Sequence, residues 1–299
     1  MVVVATVLVL LGACSSGGTT AAPPATAPAR LKVVASTDIL GAVTRQILGD
    51  QADVTVLMSP GTDPHTFTPS AEQSAAMNDA GIIVTVGLGL EKGMKPALDD
   101  ARRRAVTVLE IGPQLGALPA DRNAPNSGGE LDARVWLDPD RMTHGARLIG
   151  ELVITRPGID KAKVQGQVDA FADRLARADE DVQAAFLPIP DDRRTLVSVA
   201  GPLGYLADRY GFEVIDQGQV GVRPVAAIVT DPHAPDDATS DVARRAAPGT
   251  PTISLDLDSF GAAGSGADTY PALLVTNAKK LGAALAASAG PPAPTTTIG

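Results

Sequence analysis

Few residues in this chain can carry chemistry. Its three histidines are His65, His144 and His233, and its one cysteine is Cys14. His65 lies in "GTDPHTFTPS", residues 61–70, between Pro64 and Pro69 and just after the run "VTVLMSP". A core histidine would occupy a periodic apolar segment, whereas this one sits at the tip of a strand among turn-forming residues. An imidazole so placed is a metal ligand, a general base, or an exposed side chain with no chemical task. His233, in "VTDPHAPDD", is a second loop histidine just past a strand signal. His144, in "DPDRMTHGARLIG", falls in a helical stretch and reads as structural. No Gly-x-Ser-x-Gly occurs and no nucleophile and base stand at a recognisable spacing, so an enzyme is not expected. "GLGLEKG" has Gly87 and Gly89 but Lys92 where a dinucleotide fingerprint needs its third glycine, and it reads as a tight turn.

Cys14 bears on the compartment. "MVVVATVLVLLGACSSGG" is apolar up to Leu11-Gly12-Ala13-Cys14 and then turns small and polar. The run is too short to span a bilayer and suits the apolar core of a signal peptide. Leu-Gly-Ala-Cys resembles the bacterial lipobox, which implies cleavage before Cys14 and a diacylglycerol on its sulfur. No Lys or Arg precedes the run, so the start of translation is expected upstream. The expected order is a signal peptide at 1–13, then lipidated Cys14 with a flexible tether to residue 30. A disordered tail is expected at 288–299. The protein would then sit on the extracytoplasmic face of the cell membrane, with no cysteine left for a disulfide. Lys and Arg total 25 against 34 Asp and Glu, a net charge of −9. With no basic cluster, that balance argues against nucleic acid and against electrostatic binding to an anionic membrane surface.

The elements that must hold these residues alternate. "LKVVAST" is a β-branched run, and "DILGAVTRQILGD" follows with Ile39, Leu40, Val43, Ile47 and Leu48 at helical spacing, capped by Ser36 or Thr37. "DVTVLMSP", "GIIVTVG" and "AVTVLEI" are further strands, and Ser70 caps a helix over "SAEQSAAMNDA". Such alternation predicts a parallel sheet with its loops of interest at the strands' C-terminal ends. From Lys161 the pattern changes. Val164, Val168, Phe171, Leu175, Ala178, Val182 and Phe186 recur every three or four residues, predicting an amphipathic helix of about seven turns. Strand signals resume in "TLVSVAG", "GFEVID", "AAIVTD" and "PTISLDL". The predicted fold is α/β, with two lobes, each a parallel sheet flanked by helices, joined by one long linking helix. The lobes would occupy 31–155 and 191–287, with the linking helix in 156–190.

Together these features resemble the substrate-binding lipoproteins of bacterial zinc and manganese ABC importers. "DPHTFTPS", "VGLGLE", "RVWLDP", "GYLADRYG" and "DSFG…TYPALLVTN" carry the resemblance, which covers about residues 31–287. It implies a solute receptor working with an ABC permease and ATPase, with zinc or manganese as transported ligand and no cofactor needed for the fold. It also implies four metal ligands between the lobes, of which His65 and Asp258 match the first and fourth. The second position, two residues before the tryptophan of V-W-L-D-P, is Arg134 rather than His. The third, five residues before Tyr205, is Ala200.

Two of the four ligands are therefore replaced. Asp231 and His233, after the strand "AAIVT", are candidates to compensate. The alternative is a binding, accessory or adhesive lipoprotein of the same fold that takes an anion, a metal chelate or no ligand, with Arg134 paired to Asp258. Between "GFEVIDQG" and "AAIVTD" only "QVGVRPV" intervenes where the family has a longer, helical segment. On an extended segment, Arg134 and Trp136 would point to the same face.

Overall fold

The computed structural model describes residues 30–121, 129–232 and 236–287. Residues 1–29, where a signal peptide, Cys14 and a tether are expected, together with His233 and residues 288–299, lie outside the described residues.

The first sheet is built from β1 (Leu31–Ala35), β2 (Ala52–Val56), β3 (Ile82–Thr85) and β4 (Thr107–Glu110), in the order β2-β1-β3-β4. All pairings are parallel, with Val33 opposite both Val54 and Ile82. Every residue of β3 is buried, as expected of a strand covered on both faces. Helices α1 (Asp38–Leu48), α2 (Ala71–Asn78), α3 (Lys95–Arg103) and α4 (Pro139–Val153) flank this sheet. Of the two candidate caps for α1, Thr37 is the one used, its side chain accepting from Leu40 N–H. Ser70 caps α2 in a reciprocal box with Gln73. The Ser70 cap fixes the start of α2 directly after the loop that carries His65.

Helix α5 (Lys161–Phe186) is 26 residues long and is capped by Asp160. Its buried stripe contains the seven apolar positions that the spacing predicts. The second sheet follows, with β5 (Thr195–Ser198), β6 (Glu213–Ile215), β7 (Ala227–Thr230) and β8 (Thr252–Ser254) in the order β6-β5-β7-β8, again parallel. Its helices are α6 (Gly204–Tyr210), α7 (Asp236–Arg245) and α8 (Tyr270–Ala287). Residues 216–226, between β6 and β7, hold a 3-10 turn at Gln217–Gln219 and no longer helix. The two sheets share one strand order, so each reverses direction of winding beside its first strand and opens a crevice at the strands' C-terminal ends.

One continuous apolar cluster runs from Val33 and Ile82 through Phe171 and Leu175 of α5 to Leu196, Val229 and Tyr270. Polar bonds reinforce this junction. Arg209 of α6 donates to both carboxylate oxygens of Asp179 on α5, at 2.9 and 2.7 Å. It also reaches Asp140 at 2.7 Å and Asp138 at 3.3 Å, at the start of α4. Tyr210 O–H adds a third bond to Asp179 at 2.7 Å.

Two local expectations need correcting. The segment after Arg134 is not extended: Val135–Leu137 is a 3-10 turn that feeds Asp138 into the cap of α4. His144 does lie on a helix, but its side chain is exposed and has no core role. Because Asp179 and Asp138 are mostly buried, Arg209→Leu should lower unfolding free energy by about 3 kcal/mol through the charges it strands. Urea denaturation measures this, and a loss under about 1 kcal/mol would reduce the network to the worth of surface ion pairs.

Candidate functional site

The loop between β2 and α2 brings His65 to the crevice. Asp63 organises it, accepting from His65 N–H at 2.9 Å and from Thr66 O–H at 2.8 Å. Gly61 N–H donates across the crevice to Ser259 Oγ at 2.9 Å. The His65 side chain itself is exposed.

Arg134 enters from the turn before α4. Its backbone N–H donates to Asp132 Oδ1 at 2.9 Å, which orients the residue. Its Nε and Nη2 donate to the two carboxylate oxygens of Asp258, both at 2.6 Å. Nη2 also donates to the Ala200 carbonyl at 2.6 Å, and Nη1 to the Pro202 carbonyl at 3.3 Å. Four of the five guanidinium N–H groups are thus directed at protein acceptors. The residue is only 6% exposed. Burial opposes its charge, but Asp258 in contact, with Asp132 and Asp231 near, outweighs that and holds its pKa above the usual arginine value.

Gly201 makes this approach feasible. A Cβ there would lie 2.2 Å from Arg134 Nη1, and its φ of +94° is one that other residues rarely adopt. Trp136, the next side chain but one after Arg134, donates from Nε1 to the Leu257 carbonyl at 2.7 Å. The Trp136 carbonyl accepts from Tyr270 O–H at 2.6 Å. Arg134 and Trp136 therefore both reach the segment after β8, although the turn between them is not extended.

A cavity of about 330 Å³ lies in the crevice, and His65, Arg134, Ala200, Asp231 and Asp258 all line it. The structure brings these positions together. Asp231 is buried, and its Oδ2 accepts from Leu257 N–H at 3.0 Å. Among the described residues, no three His, Cys, Asp or Glu side chains form a group that could hold a metal ion. His233 lies outside them.

Sequence reasoning missed Gly201 and Asp132. Asp132 is 1% exposed, and its Oδ2 has no hydrogen-bond partner. Burial pushes its carboxyl up to about 6, against the pull of the Arg134 N–H and charge. The one available signal was its position two residues before Arg134. The "GLGLEKG" stretch is the tight turn expected, with Gly87 at φ +77° and Gly89 at φ +80°. Its Glu91 is buried and accepts from Ser36 O–H and from the N–H groups of Val86 and Gly87.

Two parallel α/β lobes packed on one long helix, with a crevice at the strand ends, form an architecture suited to holding a solute between them. The chain belongs to the family of zinc-uptake complex component A, periplasmic, whose sequence profile matches residues 33–284. It is 27% identical over 259 residues to the manganese-binding lipoprotein MntA of Halalkalibacterium halodurans, covering 80% of this chain and 83% of that one. It is 26% identical over 202 residues to the metal ABC transporter substrate-binding lipoprotein FimA of Streptococcus parasanguinis, covering 67% and 64%. The periplasmic zinc-binding protein TroA of Treponema pallidum shares the fold with a TM-score of 0.74 at 23% identity, over 86% of this chain and all of that one. A Mn-bound periplasmic metal-binding protein from Candidatus Liberibacter asiaticus superposes with a TM-score of 0.75 at 18% identity, with the same coverage.

The raised carboxyl of Asp132 gives a pH signature. Its folded-state value, about 6, lies above the ordinary aspartate value. The unfolded chain therefore loses this proton first as pH rises. The site's contribution is most favourable below about pH 4, declines between about pH 4 and 6, and stays low above that window. Asp132→Asn retains the Oδ1 acceptor and removes the titration. It should flatten that decline and raise stability at pH 7 by about 1–2 kcal/mol, less than the full shift because a buried polar group remains. Urea midpoints at pH 4, 6 and 7 check both parts.

Proposed function

We propose that this chain is an extracytoplasmic solute-binding lipoprotein, anchored through Cys14 and serving an ABC permease and ATPase. In this reading its crevice does not carry free zinc or manganese in a four-ligand shell. The observation behind it is the bidentate bond of Arg134 to Asp258, at two positions where the family resemblance places metal ligands.

Electrostatics supports the second part. A divalent ion about 4 Å from a guanidinium is opposed by roughly 8 kcal/mol at an effective dielectric of about 20. His65 and Asp258 alone do not make the four-coordinate shell of tight zinc binding. An anion fares little better, since Asp258 already neutralises Arg134 and most of its N–H groups are spent. A second reading keeps a metal cargo by letting Arg134 swing out while Asp231 and His233 act as ligands. What favours it is that Asp231 lines the same cavity as His65 and Asp258.

Melting curves with zinc or manganese separate the two. Ligand at about a hundred times its dissociation constant stabilises a fold by about 2.7 kcal/mol, so binding would be plain in the melt. The native protein should show no shift, whereas Arg134→His combined with Ala200→His should become metal-dependent. A native protein that gains several degrees with stoichiometric zinc, and loses the gain in His65→Ala, would establish the second reading instead.

For the anchor, Cys14→Ser should move the protein from the membrane fraction to the soluble one. Retention in the membrane fraction would refute lipidation at Cys14.

A further inference from the structure

We propose that Asp258 and the segment Ala200-Gly201-Pro202 form a guanidinium-binding site, which Arg134 fills as the protein's own ligand. This rests on the reading that the crevice is not a free-ion site, and goes beyond it by naming what the crevice is built to hold.

A metal site that had merely decayed would leave an arginine against whatever acceptors remained. This one has an acceptor array that matches a guanidinium in shape. The Asp258 carboxylate takes two parallel bonds from Nε and Nη2, the fork geometry that lysine cannot supply. The Ala200 carbonyl takes the second Nη2 hydrogen, and the Pro202 carbonyl takes one from Nη1. Backbone carbonyls suit a cation with several directed N–H groups and are not among the usual ligands of zinc. Ala200, at the position where the resemblance implies a metal ligand, thus contributes its main chain rather than its side chain.

Gly201 is the positioning residue. Any side chain there meets the guanidinium, at 2.2 Å from Nη1 and 3.1 Å from both Cζ and Nη2. Its φ of +94° also directs the neighbouring carbonyls without a steric penalty. On the other side, Asp132 Oδ1 holds the Arg134 backbone, and the Asp132 carbonyl accepts from Tyr205 O–H at 2.7 Å. Both sides of the Arg134 contact are thus held by further bonds. Arg134 stands on the first lobe's side and its acceptors on the second, so the internal ligand joins the lobes where a cargo would.

Chemical rescue tests this. Arg134→Ala should melt about 10 °C lower than the native chain, because it strands a mostly buried carboxylate. Millimolar ethylguanidinium should restore several of those degrees, and ethylammonium at the same ionic strength should not. Equal rescue by both cations, or rescue by zinc alone, would overturn the proposal. Arg134→Lys keeps the charge but loses the fork, and should melt between the native chain and Arg134→Ala; native-like melting would also overturn the proposal.

If Arg134→Ala does not fold, side-chain NMR on the native protein decides the matter. A buried, bonded Arg134 should give a slowly exchanging Nε–H signal at pH 8. That signal should persist in Gly166→Ala, where an added methyl has nothing within 4 Å, and vanish in Gly201→Ala. Its absence from the native spectrum, or its survival in Gly201→Ala, would sink the idea. A native protein that binds zinc defeats the functional reading above; failed rescue in a metal-silent native protein defeats only this one.

Discussion

A charge taken out of water has to be compensated where it lands, and Arg134 is taken almost wholly out of water between two lobes. Much of the local architecture follows from that requirement. The carboxylate of Asp258 supplies the countercharge, and two main-chain carbonyls after β5 take N–H groups that the carboxylate cannot reach. Gly201 leaves the space, and Asp132 fixes the backbone from which the side chain departs. Other bonds across the crevice close around the same point. Phe260 N–H meets Asp38 Oδ2 at 2.9 Å, and Trp136 Nε1 meets the Leu257 carbonyl. The segment from Leu257 to Phe260 is thus tied to the first lobe at four successive residues.

Much of the fold was legible because its signals are local. The β-branched runs, the three-and-four spacing from Val164 to Phe186 and the caps at Thr37 and Ser70 each fall within one element. Their alternation then dictates parallel sheets. The site was legible only in part. Arg134 and Asp258 could be paired on the page because a family pattern placed both at one point, not because anything local links residues 124 positions apart. Gly201 and Asp132 carry no such mark. A glycine before a proline reads as an ordinary turn, and an aspartate in a polar loop reads as solvated. Only the folded chain shows one beside a guanidinium and the other buried. The expected extension after Arg134 failed for a related reason: the cap of α4 at Asp138 draws the preceding residues into a 3-10 turn.

Membership of a metal-uptake family and the chemistry of this crevice are separate matters. The sheets, the linking helix and the convergence of loops at the strand ends are common to the fold, and they do not depend on what occupies the gap. A divalent ion and a guanidinium each present positive charge to Asp258. They differ in the partners they require: an ion needs several lone pairs converging on a point, and a guanidinium needs acceptors spread around a plane. The open carbonyl of Ala200 and the glycine at 201 suit the second arrangement.

The linking helix has a further consequence for the chain as a unit of inheritance. One side of α5 is buried along its length, and its residues belong to the same apolar cluster as strands from both sheets. Arg209 on α6 and Asp179 on α5 compensate each other across the junction, and Arg209 also reaches Asp138 and Asp140 at the start of α4. Neither half is therefore a portable module. Recombination between the lobes would give each fragment an uncovered apolar stripe or unpaired buried carboxylates, so this architecture is expected to diversify residue by residue and in its loops, and not by exchange of whole lobes.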